Sequence, residues 1–438
     1  MLTAREAALS VLERCRRDGA WSGQVLDRLI KSRDLNEKDA SLAVRLSLGV
    51  IQNNRFLDYY IDYYCHSPKL EPKLRDLLRL GAYQILFLDK IPVHAAVDES
   101  VSLCRAMGMA RASGLVNAVL RRLSEHRNEL PEIPGAGTAS YLALRYSQSD
   151  WLAAELIAQR GYDFTEDFFK ACQRPTDIDL QINPLKTDLD NFLAALKESG
   201  FRAEVPPYPG NCLSLSGVRP DSLPGYEEGY FYIQDRAAAM AVEIAGIQPG
   251  MSVLDACAAP GGKSFAVAIR MQNRGEILSC DLHEKKLRLI KSGAERLGIR
   301  CIRTMPQDTS LEREEWRAAF DLVIADVPCS GFGVMRKKPE IRFRSGEEAG
   351  KLPAIQTGIL ENLSGCVKPG GTLLYSTCTV LRQENEDIIR SFLHRHKEFE
   401  PIDYEIGGNR STDGCYTFWP HIDGTDGFFV AKLIRGTT

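Results

Sequence analysis

The chain has 438 residues, about three times a typical domain length, so two or three folded units are expected. Apolar residues make up 44% and charged residues 26%, which excludes a wholly disordered chain. The net charge of −3 gives no global nucleic-acid signal, although residues 1–140 hold 20 basic against 17 acidic side chains, leaving −6 for the remainder. Any RNA-binding surface is therefore expected as a local patch, sought first in the basic half. No apolar run approaches the roughly 18 residues of a membrane span, and Arg5 and Glu6 interrupt any secretory apolar region. The chain is read as cytoplasmic. Its 12 cysteines form no C-x-x-C pair and no Cys/His cluster with zinc-ligand spacing, so no metal is expected. Most are read as reduced core residues, with any exception chemical rather than structural.

Residues 1–130 read as an all-α domain. Thr3 and Glu6 have capping-box spacing, and Ala8, Val11, Leu12 and Cys15 form an apolar stripe that stops near Gly19. Comparable stretches cover 40–53, 73–88, 97–107 and 115–123. Residues 131–140, with two prolines and two glycines, read as a linker. Residues 141–232 read as a small α+β module. It has helical patterns near 151–159 and 164–172, then a strand over 178–182, a helix over 190–198 and a strand at 213–215. From 233 to 438 the texture alternates: strands at 252–254, 276–279, 322–325 and 372–375, helices at 235–245, 284–297 and 353–366. Such alternation predicts an α/β, doubly wound, mostly parallel sheet whose ligand lies beyond the carboxyl ends of the strands.

The motifs fall at those ends. The strand ending at Leu254 runs into Asp255-Ala256-Cys257-Ala258-Ala259-Pro260-Gly261-Gly262-Lys263, where small residues permit close approach of a ligand to backbone and to a helix start. The spelling fits neither a dinucleotide fingerprint nor a P-loop. Asp281, Asp308 and Asp326 close the following segments. Singly, such an aspartate is most often a turn or helix cap. Three in succession after a small-residue loop favour a nucleoside-type cofactor, with Asp281 placed for ribose hydroxyls. Two cysteines share that edge, Cys329 in Asp326-Val327-Pro328-Cys329-Ser330-Gly331 and Cys378 in Tyr375-Ser376-Thr377-Cys378. A cysteine is usually buried and inert, but this pair points to nucleophilic chemistry.

These three motifs resemble the signatures of S-adenosylmethionine-dependent RNA cytosine-5 methyltransferases, and Asp426-Gly427-Phe428-Phe429 resembles that family's closing strand. Upstream, Pro92-Val93-His94-Ala95-Ala96-Val97 and Val116-Asn117-Ala118-Val119-Leu120-Arg121 resemble the NusB-like RNA-binding fold. The combination resembles, over essentially the whole chain, the small-subunit ribosomal RNA methyltransferase B family. The resemblance implies a Rossmann-like methyltransferase domain that forms 5-methylcytosine at a specific position of 16S rRNA, as free RNA or in an early particle, with no DNA or membrane partner. It implies S-adenosyl-L-methionine as methyl donor, held by Cys257, Ala258, Ala259, Pro260, Gly261, Gly262, Lys263, Asp281, Asp308 and Asp326. It further implies Cys378 as nucleophile, Cys329 as the group assisting elimination and Asp326 as the residue orienting the base. In the DNA enzymes the Pro-Cys cysteine attacks, so the presence of both cysteines favours the RNA reading. Arg336-Lys337-Lys338 and Arg342-Phe343-Arg344 are the expected phosphate contacts, with Arg121-Arg122 more ambiguous. Two alternatives stand beside this reading: a tRNA cytosine-5 methyltransferase and a non-catalytic rRNA-binding assembly factor.

Overall fold

The computed structural model describes residues 2–32, 35–65 and 69–437. Two compact units divide the chain. The first takes Met1–Gln173 with Lys337–Gly346, the second Arg174–Arg336 with Glu347–Thr438. Among the described residues no helix is long and apolar enough to cross a membrane.

The first unit is helical: α1 (Ala4–Asp18), α2 (Ser22–Lys31), α3 (Glu37–Gln52), α4 (Asn54–Tyr64), α5 (Pro72–Phe87), α6 (Val93–Ala106), α7 (Ser113–Glu125), α8 (Ala139–Arg145), α9 (Asp150–Arg160) and α10 (Tyr162–Ala171). The expected capping box at Thr3 and Glu6 forms, with both reciprocal hydrogen bonds present, and contributes about 1 kcal/mol to the start of α1. Helices α2 and α4 are not among the expected stretches. Neither carries a side-chain cap at its start, and α4 is an aromatic-rich run whose Asn53 also ends α3. Gly49 permits the α3–α5 crossing, because a Cβ there would lie 2.0 Å from the Tyr83 ring. The buried Asp76 is held by Arg16 and Arg79, so its charge is compensated inside the bundle.

The first compact unit runs on past residues 131–140 to Gln173. Ile133 is buried in the bundle core, and Tyr59 and Tyr60 donate from their hydroxyls to the carbonyls of Glu132 and Pro131. Helices α8 to α10 fall in the same compact unit as the bundle. The excursion 337–346 completes the unit. Its Arg342 is 2% exposed and donates through Nη2 to the Cys172 carbonyl at 3.0 Å, while Glu340 accepts from the Ser22 backbone N–H at 2.6 Å.

The second unit begins with the antiparallel sheet β2-β1-β3, built from β1 (Ile178–Ile182), α11 (Leu189–Glu198), β2 (Cys212–Leu215) and β3 (Phe231–Ile233). It continues through α12 (Arg236–Glu243), β4 (Ser252–Asp255), α13 (Gly262–Arg270), β5 (Glu276–Asp281), α14 (Glu284–Leu297), β6 (Ile302–Pro306) and β7 (Phe320–Asp326). After the excursion come α15 (Gly346–Gly350), α16 (Leu352–Ser364), β8 (Val367–Thr377), α17 (Glu386–Arg395), β9 (Phe399–Pro401), β10 (Glu405–Ile406), β11 (Asn409–Arg410), β12 (Cys415–Phe418) and β13 (Phe428–Arg435). The large sheet runs β12-β13-β8-β7-β4-β5-β6, with β9 beside β13. Its β4–β5, β5–β6, β4–β7 and β7–β8 pairs are parallel, as expected, while β13 is antiparallel to β8, β9 and β12. The sheet is therefore mixed.

The chain starts in the middle at β4, goes outward to β6, then crosses to β7 and β8. Strand order reverses between β4 and β7, which is where such sheets bind ligands. The small module is fastened to this sheet domain through Asn183, whose buried Nδ2 donates to the carbonyls of Gly229 and Leu297. Those bonds explain why both pieces share one compact unit.

Candidate active site

The switch point is lined by the residues that follow β4 and β7. Asp255 ends β4 fully buried, accepting from Ser264 Oγ at 2.6 Å, and Ser264 in turn meets Ser279 Oγ at 2.7 Å. Asp255 Oδ1 has no hydrogen-bond partner, and burial pushes the carboxyl up to about 6. The loop then turns through Gly261, whose φ of +116° and the 2.6 Å gap to the Phe265 ring exclude a side chain. No side chain caps α13, so its first-turn N–H groups face the end of the sheet without a local acceptor of that kind. Cys257 lies in this loop, its thiol 3.8 Å from Thr309 Oγ1 and pushed up to about 12 by burial. It is an inert thiol.

Parallel register brings the other predicted carboxylates to the same edge. Asp281 pairs in register with Pro306 and Asp326 with Ser376. Asp281 is buried and accepts from the His283 backbone N–H at 2.9 Å, with Lys286 3.5 Å away. Asp308 is exposed, and its Oδ1 accepts from both the Ser310 backbone and hydroxyl, which holds it below the usual carboxylate range. That geometry is a turn cap. Asp326 receives Ser376 Oγ on Oδ1 at 2.7 Å and Lys263 Nζ on Oδ2 at 2.8 Å. Lys263 lies 5.0 Å over the Phe428 ring and pairs with Asp326, so its charge serves that carboxylate rather than a thiol.

Beyond β7 and β8 the two cysteines meet, with Cys329 Sγ 3.0 Å from Cys378 Sγ. The Cys378 backbone N–H also donates to Cys329 Sγ, at 3.3 Å. The hydrogen bond with Cys378, then burial, then the nearby charges of Glu384 and Asp326 hold the Cys329 thiol well above its ordinary range. Two thiols in contact titrate as a coupled pair. The loops are locked by a backbone crossing in which Gly333 donates to the Cys378 carbonyl and Gly427 donates to the Gly333 carbonyl. A Cβ at Gly333 would lie 1.9 Å from Gly427 O, so that crossing requires glycine.

Two of the expected phosphate contacts, Arg336 and Arg342, are committed inside the protein. Arg336 pairs with the buried Asp426 at 3.0 Å and donates to the Thr425 carbonyl. Arg342 is buried, and desolvation lowers its guanidinium to about 10. Lys337, Lys338, Arg121 and Arg122 are exposed. Sequence reasoning passed over Ser264, Ser376, Glu384 and Asn385. Asp255 and Ser264 carried one available signal, since Asp255 is itself a strand-end carboxylate. Glu384 and Asn385 carried none beyond their distance of a few residues from Cys378.

Residues 243–434 match the family model described as 16S rRNA methyltransferase RsmB/F, residues 2–125 the NusB family, and residues 148–220 the RsmF/B-like ferredoxin-like domain. A probable ribosomal RNA small subunit methyltransferase B of Bacillus subtilis is 33% identical over 98% of both chains. The ribosomal RNA small subunit methyltransferase B of Erwinia tasmaniensis is 31% identical over 99% of both. Among solved structures, that of PH0851 aligns over 99% of both chains with TM-score 0.81 and 26% identity. Motifs, domain order and full-length similarity agree: the chain belongs to the RsmB/F family of 16S rRNA methyltransferases.

Proposed function

We propose that the second unit methylates carbon 5 of one specific cytosine of 16S rRNA through a transient bond between Cys378 and carbon 6, with S-adenosylmethionine as donor. The observation that carries this reading is the 3.0 Å approach of Cys329 and Cys378 beside the Lys263–Asp326 pair. The residues present fit the donor. The glycine turn at Gly261 leaves room that a Cβ would fill, α13 starts without a side-chain cap, and Asp281 is a buried strand-end carboxylate beside it. Cys257, Ala258, Ala259, Pro260, Gly262 and Lys263 complete that loop, and Asp308 stays in the proposal only as a turn that shapes its far side. When bound, the donor would supply an electrophilic methyl group, its sulfur–methyl bond breaking to leave the neutral thioether.

Carbon 5 of cytosine is too weakly nucleophilic to accept that methyl unaided. Addition of the Cys378 thiolate to carbon 6 places an electron pair on carbon 5, which forms the new carbon–carbon bond. Loss of the carbon 5 proton to a base then re-forms the 5,6 double bond as the carbon–sulfur bond breaks. Cys329 keeps its proton and lies against the departing sulfur, where it assists elimination. Asp326, fixed by Ser376 and Lys263, presents a carboxylate to the edge of the base. The base must leave its stack to reach the thiol, so looped or opened RNA, free or in an early particle, is the substrate form. The helical unit serves to select it.

Two substitutions test the assignment. Cys378→Ser should abolish transfer of labelled methyl to naked 16S rRNA without trapping RNA. Cys329→Ser should accumulate a covalent protein–RNA complex that survives denaturing electrophoresis, and the double variant should show none. An adduct from Cys378→Ser alone would reverse the two roles, and methyl transfer to tRNA in preference to 16S rRNA would refute the substrate.

A further inference from the structure

Each cysteine is held by its neighbours in the chain, and those neighbours converge on one dipeptide. Ser330, next to Cys329, donates its backbone N–H to Glu384 Oε2 at 2.8 Å. Gln356 Nε2 donates to the same oxygen at 2.8 Å and to the carbonyl of Pro328, on the other side of Cys329, at 3.0 Å. Around Cys378 the pattern repeats with the next residue. Thr377 Oγ1 donates to Asn385 Oδ1 at 2.6 Å, and Asn385 Nδ2 donates to the Thr379 carbonyl at 3.0 Å. The hydroxyls of Ser330 and Thr379 meet at 2.7 Å and join the two loops directly. Tyr375, in β8, donates its hydroxyl to the Glu384 carbonyl at 2.7 Å, which ties the dipeptide to the sheet.

Glu384 and Asn385 are both fully buried, and Glu384 Oε1 has no hydrogen-bond partner. A buried carboxylate with one oxygen unsatisfied costs stability, and an amide of the same shape could accept the same two hydrogen bonds through its oxygen. The arrangement is explained by what it holds.

We propose that Glu384 and Asn385 are positioning residues for methyl transfer, Glu384 setting the Cys329 loop and Asn385 the Cys378 loop so that the two sulfurs stay in contact. The proposal rests on the reading that these two thiols carry the chemistry. Neither residue touches the reacting atoms. Their effect passes through Pro328, Ser330, Thr377 and Thr379, which bracket the thiols. Displacing a reacting group by about 1 Å costs on the order of 100-fold in rate, so the consequence falls on kcat.

The full-length protein is compared with Glu384→Ala, Glu384→Gln and Asn385→Asp. Four quantities are measured: calorimetric affinity for S-adenosylmethionine, kcat and KM on 16S rRNA, and the rate at which diamide links Cys329 to Cys378, followed by peptide mass mapping. In that last reaction the two thiols lose two electrons and two protons to diamide and become a disulfide. It reports sulfur proximity without any methyl transfer. Glu384→Ala should lower kcat about 100-fold and slow the cross-link, with cofactor affinity unchanged. Glu384→Gln, which keeps an acceptor for Ser330 and Gln356, should restore most of both. Asn385→Asp keeps the acceptor for Thr377 but cannot donate to the Thr379 carbonyl, and should lower both. It carries the test if Glu384→Ala does not fold. The proposal is overturned if kcat falls while the cross-link rate holds, if Glu384→Gln is as impaired as the alanine variant, or if Glu384→Ala and Asn385→Asp both keep wild-type kcat. Active Cys378→Ser would overturn the cysteine assignment instead, while the cross-link rates would still report on the clamp.

Discussion

Lys263 and Asp326 close an ion pair of 2.8 Å across the point where the strand order reverses, joining the first turn of α13 to the end of β7. The ammonium side is 9% exposed and the carboxylate side 32%, so the pair stands between a surface bridge and a buried one. Lys263→Met should therefore destabilise the protein by about 2 kcal/mol in urea titrations. It should also lower kcat, because Asp326 loses one of the two groups that fix it. A variant that loses only cofactor affinity and keeps kcat would move Lys263 from the proposed base-orienting pair to the donor.

Asp255 gives a pH dependence of definite sign. Burial raises its carboxyl from 3.8 to about 6, so the folded state binds the proton more tightly than the unfolded chain. Its contribution to stability is complete at acid pH, below the unfolded value, and is lost as pH rises through 6. The loss amounts to roughly 2 kcal/mol between about pH 4.5 and 7.5. Asp255→Asn should remove this component, gaining on the wild type as pH rises. Parallel stability curves for the two proteins across that range would show that the carboxyl titrates normally.

Gly333 lies against Gly427 and the Cys378 carbonyl, where a Cβ would be 1.9 Å from one backbone oxygen and 2.8 Å from the other. Neither neighbour is a flexible side chain. Gly333→Ala should cost about 3 kcal/mol or more by overpacking and should separate the cysteine loops. Unchanged melting and unchanged Cys329–Cys378 cross-linking would contradict the close approach.

Arg342 is a structural arginine, so its removal should affect melting rather than RNA electrostatics. Arg342→Ala should lower stability by about 2–3 kcal/mol through lost packing and the lost bond to Cys172 O. Affinity of the folded variant for 16S rRNA should keep the wild-type salt dependence. A slope shallower by about one unit would restore Arg342 as a phosphate contact.

Strand-end residues were legible in the sequence because parallel strands place them at one edge by rule. Asp255, Asp281 and Asp326 arrive there through parallel registers, and Cys378 directly follows β8. The antiparallel strand β13 was legible only as a motif, since its pairing with β8 spans distant parts of the chain. Asp308 shows the limit of the rule, because a strand-end aspartate followed at two residues by Ser310 makes its own turn. Arg336 and Arg342 show another. A run of basic residues looks solvated until Asp426 and Cys172, each distant in sequence, are seen to occupy them. Residues 131–140 lie between the NusB match, which ends at 125, and the ferredoxin-like match, which begins at 148, although Ile133 packs into the bundle core in a way Pro and Gly do not announce.

The excursion at 337–346 also sets an order of manufacture. The helical unit is encoded in two separated stretches, and its last piece leaves the ribosome after β7 but before β8. At that moment the sheet holds β4, β5, β6 and β7, and Cys378 has not yet emerged. The helical unit can thus complete its core during synthesis, ahead of the strands that finish the catalytic sheet. For the same reason a gene fragment beginning at Ala139 or at Arg174 does not encode a clean catalytic half. It retains ten residues whose partners, Cys172 and Ser22 among them, are wholly or partly deleted. A recombination event that exchanged the amino-terminal half alone would leave Arg342 without its counterpart, so the two stretches are expected to be inherited together.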